Sequence, residues 1–205
     1  NKDYITIQGF QIDMVGQADG ADHIKGIEIK VGSDHITCSY NKITFSSHGY
    51  TNCHGFYMKT TTSGGISYIT IDHNEVDGNG AYTDTQYLYN ALGKSVYVYQ
   101  SSCNSADDKV SHLTVTDNWF HNHYGAINIH NEATVYPDIW DNNAQCTDII
   151  FSDNRCEYLG AQAVRFGGTR VEDYSHNLIQ RNRIYRMGLK FEHTQALQLS
   201  DSHDN

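Results

Sequence analysis

The chain has 205 residues, and its composition of 39% hydrophobic and 12% aromatic residues supports a large packed core and argues against a disordered polypeptide. Its formal net charge of −10, with no basic run interleaved with aromatic residues, argues against a nucleic-acid partner. No apolar run is long enough to span a bilayer and no run has a linker composition, so we expect residues 1–205 to form one domain without a membrane span.

The first predicted element is a short strand that begins at Ile5, where apolar and polar residues alternate as in a strand with one buried face. The same pattern recurs along the chain, with a polar residue in the first inward position of the last copy. The inward pairs are Ile5/Ile7, Ile36/Cys38, Ile69/Ile71, Leu113/Val115, Ile149/Phe151 and Asn177/Ile179. The sequence therefore predicts six copies of one repeating unit.

A corner follows each first strand three residues later, and it carries an asparagine in every copy after the first. The corner residues are Phe10, Asn41, Asn74, Asn118, Asn154 and Asn182. Two positions beyond each corner lies the inward residue of a second short strand. These residues are Ile12, Ile43, Val76, Phe120, Cys156 and Ile184.

A small residue and a third alternating strand complete each unit. The inward pairs of the third strand are Ile27/Ile29, Phe56/Met58, Val96/Val98, Ile127/Ile129, Val164/Phe166 and Leu197/Leu199. Successive pairs are 29, 40, 31, 37 and 33 residues apart, which is typical of repeat proteins. Strands this short cannot bury their apolar face alone, so the units must stack on one another. We predict an all-β fold, a right-handed parallel β-helix of about six coils.

This three-strand unit with its asparagine corner resembles the pectate-lyase-like superfamily of parallel β-helix proteins, and the resemblance spans essentially the whole chain. The resemblance implies an internal asparagine ladder, in which stacked side-chain amides hydrogen-bond one another from coil to coil. It also implies an extracellular, cell-surface or periplasmic location. The fold alone does not fix the chemistry, because one fold hosts many functions.

Both ends of the sequence match the interior of the repeat. Residues 1–3 lead directly into the first strand, and residues 202–205 match the approach to a strand. Natural solenoids cover their terminal coils with capping segments, and none is visible here. We therefore expect the chain to be a segment of a longer protein, or to pack end to end or as a homo-oligomer.

Two of the five cysteines, Cys38 and Cys156, occupy inward positions and are predicted to be core residues. Cys103 and Cys146 lie in loops between coils, and the sequence leaves open whether they form a disulfide. Cys53 would remain unpaired in that case.

In the resembling superfamily, substrate lies in a groove along the outward face of the third strand. The outward positions of this strand are Glu28 and Lys30, Tyr57 and Lys59, Tyr97 and Tyr99, Asn128 and His130, Arg165 and Gly167, and Gln198 and Ser200. Neighbouring coils lie about 4.8 Å apart, so residues in equivalent positions stack. We expect Tyr97, Asn128 and Arg165 to form one column, with a second column of Lys59, Tyr99 and His130 beside it.

This grouping favours a polysaccharide lyase that cleaves a uronic-acid polymer by β-elimination. The reaction needs a group that binds the C6 carboxylate, a base for the C5 proton and an acid for the leaving oxygen. Arg165 with Asn128 could hold the carboxylate, since arginine presents a fixed fork of donors. The candidates for base are His130 and Lys59, those for acid are Tyr99 and Tyr97, and those for sugar binding are Tyr57, Tyr97, Glu132 and Gln198.

Other interpretations stay open. A glycoside hydrolase needs two carboxylates about 5 to 9.5 Å apart, but only Glu28 occupies an outward position, while Glu132 and Asp201 are two coils apart, so hydrolysis ranks lower. A non-catalytic fibre, adhesin or tail-spike segment that binds glycans through tyrosine-rich loops such as residues 81–90 fits the pattern about as well as a lyase does. The side chains could also simply decorate a solvent-facing sheet.

No cofactor or metal is assigned from the sequence. Acidic residues in the loops beside the groove could bind calcium. They are Asp84, Asp107, Asp108 and Glu132. The pair Asp72-His73 is interpreted as a turn, because other copies of the repeat place unrelated residues there, such as Ser39-Tyr40. The expected partner is an acidic polysaccharide or another glycan.

Overall fold

The computed structural model describes residues 4–14, 24–45, 53–60, 64–79, 93–101, 109–132, 146–168, 176–187 and 196–201. These ranges contain 18 strands, and they contain no helix. In the described residues there is accordingly no helix of the length and apolar character that a membrane crossing needs.

The strands form three parallel sheets of six strands each, named here sheets A, B and C. Sheet A contains β1 (Ile5–Gln8), β4 (Asp34–Ser39), β7 (Ile66–Asp72), β10 (Val110–Thr116), β13 (Ile150–Ser152) and β16 (Leu178–Gln180). Sheet B contains β2 (Gln11–Met14), β5 (Lys42–Phe45), β8 (Glu75–Asp77), β11 (Trp119–His121), β14 (Arg155–Leu159) and β17 (Arg183–Met187). Sheet C contains β3 (Ile24–Ile29), β6 (Cys53–Thr60), β9 (Lys94–Ser101), β12 (Gly125–Glu132), β15 (Val164–Gly168) and β18 (Leu197–Asp201).

Each strand pairs with the equivalent strand of the next coil, and equivalent residues of the repeat are partners. In sheet A, Ile36 pairs with both Ile5 and Ile69. In sheet C, Ile127 pairs with both Val96 and Val164. This register confirms the predicted right-handed parallel β-helix of about six coils.

The core fills the inside of the coils with the inward residues of all three sheets. The most deeply buried include Ile69, Ile71, Val76, Val98, Leu113 and Phe120, each with no exposed surface. Cys38 and Cys156 are core residues as predicted, and burial raises the pKa of the Cys38 thiol to about 12. Cys146 is buried, and its thiol donates to Gln100 Oε1 at 3.0 Å. Cys103 lies outside the described residues.

The asparagine ladder runs along the corner between sheets A and B. Asn118 is typical: its backbone N–H and its Nδ2 both donate to Asn154 Oδ1 at 3.0 Å, and its own Oδ1 accepts the same two bonds from Asn74. Each amide also satisfies a main-chain carbonyl, which for Asn118 is that of Ile71 at 2.9 Å. Phe10 occupies the corner of the first coil and donates its N–H to Asn41 Oδ1 at 3.0 Å. Buried polar groups of the corner are thus paired from coil to coil.

Each of these corners is preceded by a residue in the left-handed backbone conformation. The residues are Gly9, Tyr40, His73, Asp117, Asp153 and Arg181, with φ between 51° and 74°. A residue with a β-carbon adopts this conformation at a cost of roughly 1 kcal/mol, so the ladder must hold the bend. His73 lies at such a bend with its Nδ1 2.7 Å from Asp72 Oδ1, in keeping with the turn inferred for this pair.

Candidate functional site

The outward residues of sheet C stack in columns along the solenoid axis, in the register that the repeat predicts. We call the first the Arg165 column, which consists of Glu28, Tyr57, Tyr97, Asn128, Arg165 and Gln198. The second, the Lys59 column, consists of Lys59, Tyr99, His130, Gly167 and Ser200. The side chains of His130, Glu132 and Gln198 lie outside the described part of the structure.

Three side chains of the Arg165 column are buried, whereas the sequence left open that this face of the sheet is exposed to solvent. Tyr57 is 2% exposed, Tyr97 8% and Asn128 6%, although all three lie on the outward face of the sheet. Alternation along a strand indicates on which side of a sheet a residue lies, but it does not indicate whether that side is covered. These side chains therefore occupy an environment of low polarity, in which charge and hydrogen bonding act more strongly than in water.

A third column, not predicted from the sequence, lies beside the Arg165 column and consists of Lys25, His54 and Lys94. His54 is fully buried, and its ring lies 4.5 Å from the ring of Tyr97 and 5.4 Å from that of Tyr57. Lys94 is 4% exposed, with its Nζ 4.4 Å from the centre of the Tyr97 ring. We call these three residues the Lys94 column. The ammonium group of Lys94 and the ring of His54 both pack against the ring of Tyr97.

Lys94 has a pKa near neutral pH, where its side chain can both accept and release a proton. Burial, together with the positive charge of Arg165, lowers the pKa of Lys94 from its ordinary 10.5 to about 7. The ring of Tyr124 lies 5.9 Å from Lys94 Nζ, and burial raises the pKa of Tyr124, while Arg165 opposes this shift. A buried lysine that is partly neutral at neutral pH is an atypical feature and marks a candidate catalytic site.

Two polar atoms of the Arg165 column lack a hydrogen-bond partner among the described residues. They are Asn128 Oδ1 and Arg165 Nε, both buried. A buried polar atom without a partner is costly and calls for an explanation such as a ligand that completes its bonding. Asn128 and Arg165 are register partners in adjacent coils, so the two atoms belong to neighbouring positions of one surface.

The first coils carry the accessible charges of this face. A groove of about 440 Å³ is lined by Glu28, Ile29, Lys30, Val31 and Lys59. Glu28 Oε1 lies 2.6 Å from Lys25 Nζ and its Oε2 lies 3.8 Å from Lys30 Nζ. The hydrogen bond from Lys25 holds the pKa of Glu28 below its usual range. A carboxylate that stays ionised in this way is a poor general acid, which disfavours Glu28 in a glycosidase role.

Within the described ranges, the clusters of histidine and carboxylate side chains that could hold a metal lie on sheets A and B and at the corner between them, not on sheet C. Two groups of one histidine and two carboxylates have their ligand atoms within 4.8 Å of one another: Asp72, His73 and Asp117, and Glu75, Asp77 and His121. In the second group, His121 Nε2 lies 3.2 Å from Glu75 Oε1, and its Nδ1 lies 3.5 Å from Asp77 Oδ1. Hydrogen bonding between His121 and Glu75 accounts for the short distance between their side chains. The suggested calcium ligands Asp84, Asp107 and Asp108 lie outside the described residues.

His123, two residues after His121, points into the core. His123 is fully buried, with its Nε2 2.6 Å from the Ser95 hydroxyl oxygen. Burial lowers the pKa of His123 to about 3, so the ring is neutral at physiological pH. His123 is therefore a core residue and not part of the outward site.

Replacing Lys94 with methionine is expected to remove a pH dependence of the protein's stability. Because the folded state holds the pKa of Lys94 at about 7 and the unfolded chain has its ordinary 10.5, the cost of burying the charge is fully present below pH 7 and disappears as the pH rises to 10.5. The wild type should gain roughly 2 kcal/mol relative to the variant between pH 7 and pH 9, as measured by urea denaturation.

The exposed Lys59 supplies the control for this experiment. The Lys59→Met variant should follow the wild type across the same pH range. If the Lys94→Met variant and the wild type instead change in parallel between pH 7 and pH 9, Lys94 is not a buried cation.

The sequence contains a pattern that would have located the Lys94 column. In three successive coils a basic residue directly precedes the small residue of the third strand: Lys25 before Gly26, His54 before Gly55 and Lys94 before Ser95. Equivalent positions stack in a solenoid, so a recurring basic residue predicts a basic column.

Comparison with known proteins gives this chain no relative: no family model, no curated protein and no solved structure matches it.

Proposed function

We propose that the protein is a polysaccharide lyase that cleaves a uronic-acid polymer by β-elimination on the outward face of sheet C, as the resemblance to pectate-lyase-like proteins suggests. The observation that carries the proposal is the juxtaposition of Arg165 and Asn128, each with a buried polar atom that has no partner among the described residues. Lys94, with its lowered pKa, lies in the adjacent column.

In this proposal Arg165 binds the C6 carboxylate of the sugar. Its guanidinium forms charge-assisted hydrogen bonds with a planar carboxylate, and these strengthen as negative charge builds on the carboxylate in the transition state. The C5 proton becomes more acidic as a result. Arginine remains charged throughout, so it neutralises the developing charge and does not itself donate a proton.

Lys94 is the group best suited to remove the C5 proton. A base works best when its pKa lies near the working pH, and the buried Lys94 has a pKa of about 7. As the C5–H bond breaks, its electron pair forms the C4=C5 double bond and the C4–O bond breaks. The leaving oxygen takes a proton from Tyr97 or Tyr99. Lys59 and His130, in the Lys59 column, are the other candidate bases.

The polymer would approach through the groove of the first coils. Lys30 and Lys59 line that groove, and the side chain of Lys30 is 78% exposed. Exposed cations attract a polyanion and increase its association rate at low ionic strength. As the resemblance to pectate-lyase-like proteins implies, we place the protein outside the cell, at the cell surface or in the periplasm.

The test is an absorbance screen over alginate, pectate and glycosaminoglycans. β-Elimination leaves an unsaturated, ultraviolet-absorbing sugar end, so at least one polymer should give rising absorbance with time, and neutral polysaccharides should give none. Reducing ends without this absorbance would indicate hydrolysis. If no polymer is cleaved and the purified protein self-associates or binds glycans, the non-catalytic fibre replaces the lyase.

A further inference from the structure

We infer that the site recognises two groups on one sugar unit, a free carboxylate through Arg165 and an unsubstituted hydroxyl through Asn128. The substrate class is therefore a uronate that is neither methyl-esterified nor O-acetylated at the hydroxyl that faces Asn128. This inference rests on the proposed function and adds to it a requirement for the hydroxyl.

The first half of the requirement follows from Arg165. Its Nε is a buried donor without a hydrogen-bond partner among the described residues, and Arg165 cannot lose its proton to relieve the charge. An anionic acceptor on the ligand satisfies both the donor and the charge. A methyl ester offers an acceptor without a charge and is the poorer partner.

The second half follows from Asn128, because the unpartnered atom of this side chain is an acceptor. Asn128 is 6% exposed, and its Oδ1 accepts no hydrogen bond from any described residue. A uronate carboxylate carries no proton at neutral pH, so it cannot donate to this oxygen. A sugar hydroxyl can donate, and an O-acetyl group at the same position cannot.

The arrangement of the two residues fits one sugar unit. Asn128 and Arg165 are direct register partners in adjacent coils, where equivalent positions lie about 4.8 Å apart. The surrounding side chains Tyr97, Lys94 and His54 are buried. A site built to hydrogen-bond a hydroxyl discriminates strongly against an analogue without it, because the buried partner atom is then left unsatisfied.

The experiment crosses a protein variant with a substrate modification. Wild type and Asn128→Ala are compared on matched oligouronates, one set unmodified and one set O-acetylated, by the absorbance assay and by calorimetric binding. The wild type should prefer the unmodified set by about 100-fold in kcat/KM, because an acetylated sugar leaves the buried Asn128 Oδ1 unsatisfied. Asn128→Ala should lose about 100-fold on the unmodified set and almost nothing on the acetylated set, so its preference falls close to one. Asn79→Gly, at an exposed position with φ of 51° just after strand β8 of sheet B, is the matched control and should keep the wild-type preference.

The outcomes separate this inference from the proposed function. The hydroxyl requirement is wrong if the wild type cleaves unmodified and O-acetylated oligouronates at equal rates, or if Asn128→Ala loses the same factor on both. Either result leaves the lyase proposal standing. If no polymer is cleaved, the lyase is overturned, and the calorimetric arm alone decides the inference. Tighter binding of the unmodified oligouronates, lost in Asn128→Ala, supports it, and equal or absent binding of both sets overturns it.

Discussion

Replacing Asn118 with alanine is expected to lower the free energy of unfolding by about 4 to 6 kcal/mol, since two or three buried groups would each lose a partner at about 1 to 3 kcal/mol. Two groups lose their bond to Asn118: the backbone N–H of Asn74, which donates to Asn118 Oδ1 at 2.8 Å, and the carbonyl of Ile71, which accepts from Asn118 Nδ2 at 2.9 Å. The third, Asn154 Oδ1, loses the bond from Nδ2 and keeps the one from the backbone N–H of residue 118. Typical domains have a stability of about 5 to 15 kcal/mol, so this variant should approach the limit of folding.

The measurement is urea denaturation followed by circular dichroism, and Asn182→Ala is the matched control. Asn182 accepts the same pair of bonds from Asn154 at 3.0 and 3.1 Å, but it is only partly buried. Water can therefore replace part of what is lost, and about 1 to 2 kcal/mol is expected. If both variants lose the same free energy of unfolding, burial does not determine how much the hydrogen bonds of the ladder contribute to stability.

Replacing Arg165 with alanine is expected to reduce kcat/KM on a uronate polymer by at least about 1,000-fold, while the protein stays folded. Removing one preorganised donor at a developing charge typically costs about 100- to 1,000-fold, and Arg165 supplies both the donors and the charge. Arg165→Lys retains the charge without the planar fork, so an intermediate loss is expected. Absorbance assays give the rates, and urea denaturation checks that the fold is intact.

Arg181→Ala is the control for a lost arginine. Arg181 lies at an exposed bend between sheets A and B, where its Nε and Nη2 donate to the Asp153 carboxylate at 2.7 Å. This variant should cleave the polymer at the wild-type rate. If Arg165→Ala cleaves the polymer at the wild-type rate, Arg165 does not bind the carboxylate. The proposal that the outward face of sheet C carries the active site is then wrong.

The register of the solenoid could be predicted from the sequence because two independent patterns agree on it. Apolar alternation aligns Ile36 with Ile69, and the corner asparagine aligns Asn41 with Asn74. A shift of one residue would turn every inward side chain outward and break the ladder at the same time. The pairs Asn128 with Arg165 and Tyr97 with Asn128 follow from that register without further information.

The Lys94 column could not be read in the same way, because alternation fails at Ser95. Counting back from the inward Val96 places Ser95 outward and Lys94 inward. In the structure Ser95 is buried against the core residue His123, and Lys94 lies instead beside the outward Tyr97. Nor does alternation report that Tyr57 and Asn128 are covered, since a period of two distinguishes the faces of a sheet and carries no information about what lies over them.

The asparagine ladder has a direction. From Asn41 to Asn154, each rung donates its N–H and its amide to the oxygen of the rung that follows in sequence, as Asn74 does to Asn118. What a corner residue must supply therefore depends on the coil before it. A corner residue that follows another rung must offer a side-chain oxygen as acceptor. Phe10 follows no other rung among the described residues, so it needs only its backbone N–H, which donates to Asn41. An engineer who splices a new coil between Asn74 and Asn118 must supply asparagine at its corner, while a coil that opens the series leaves the choice of side chain free.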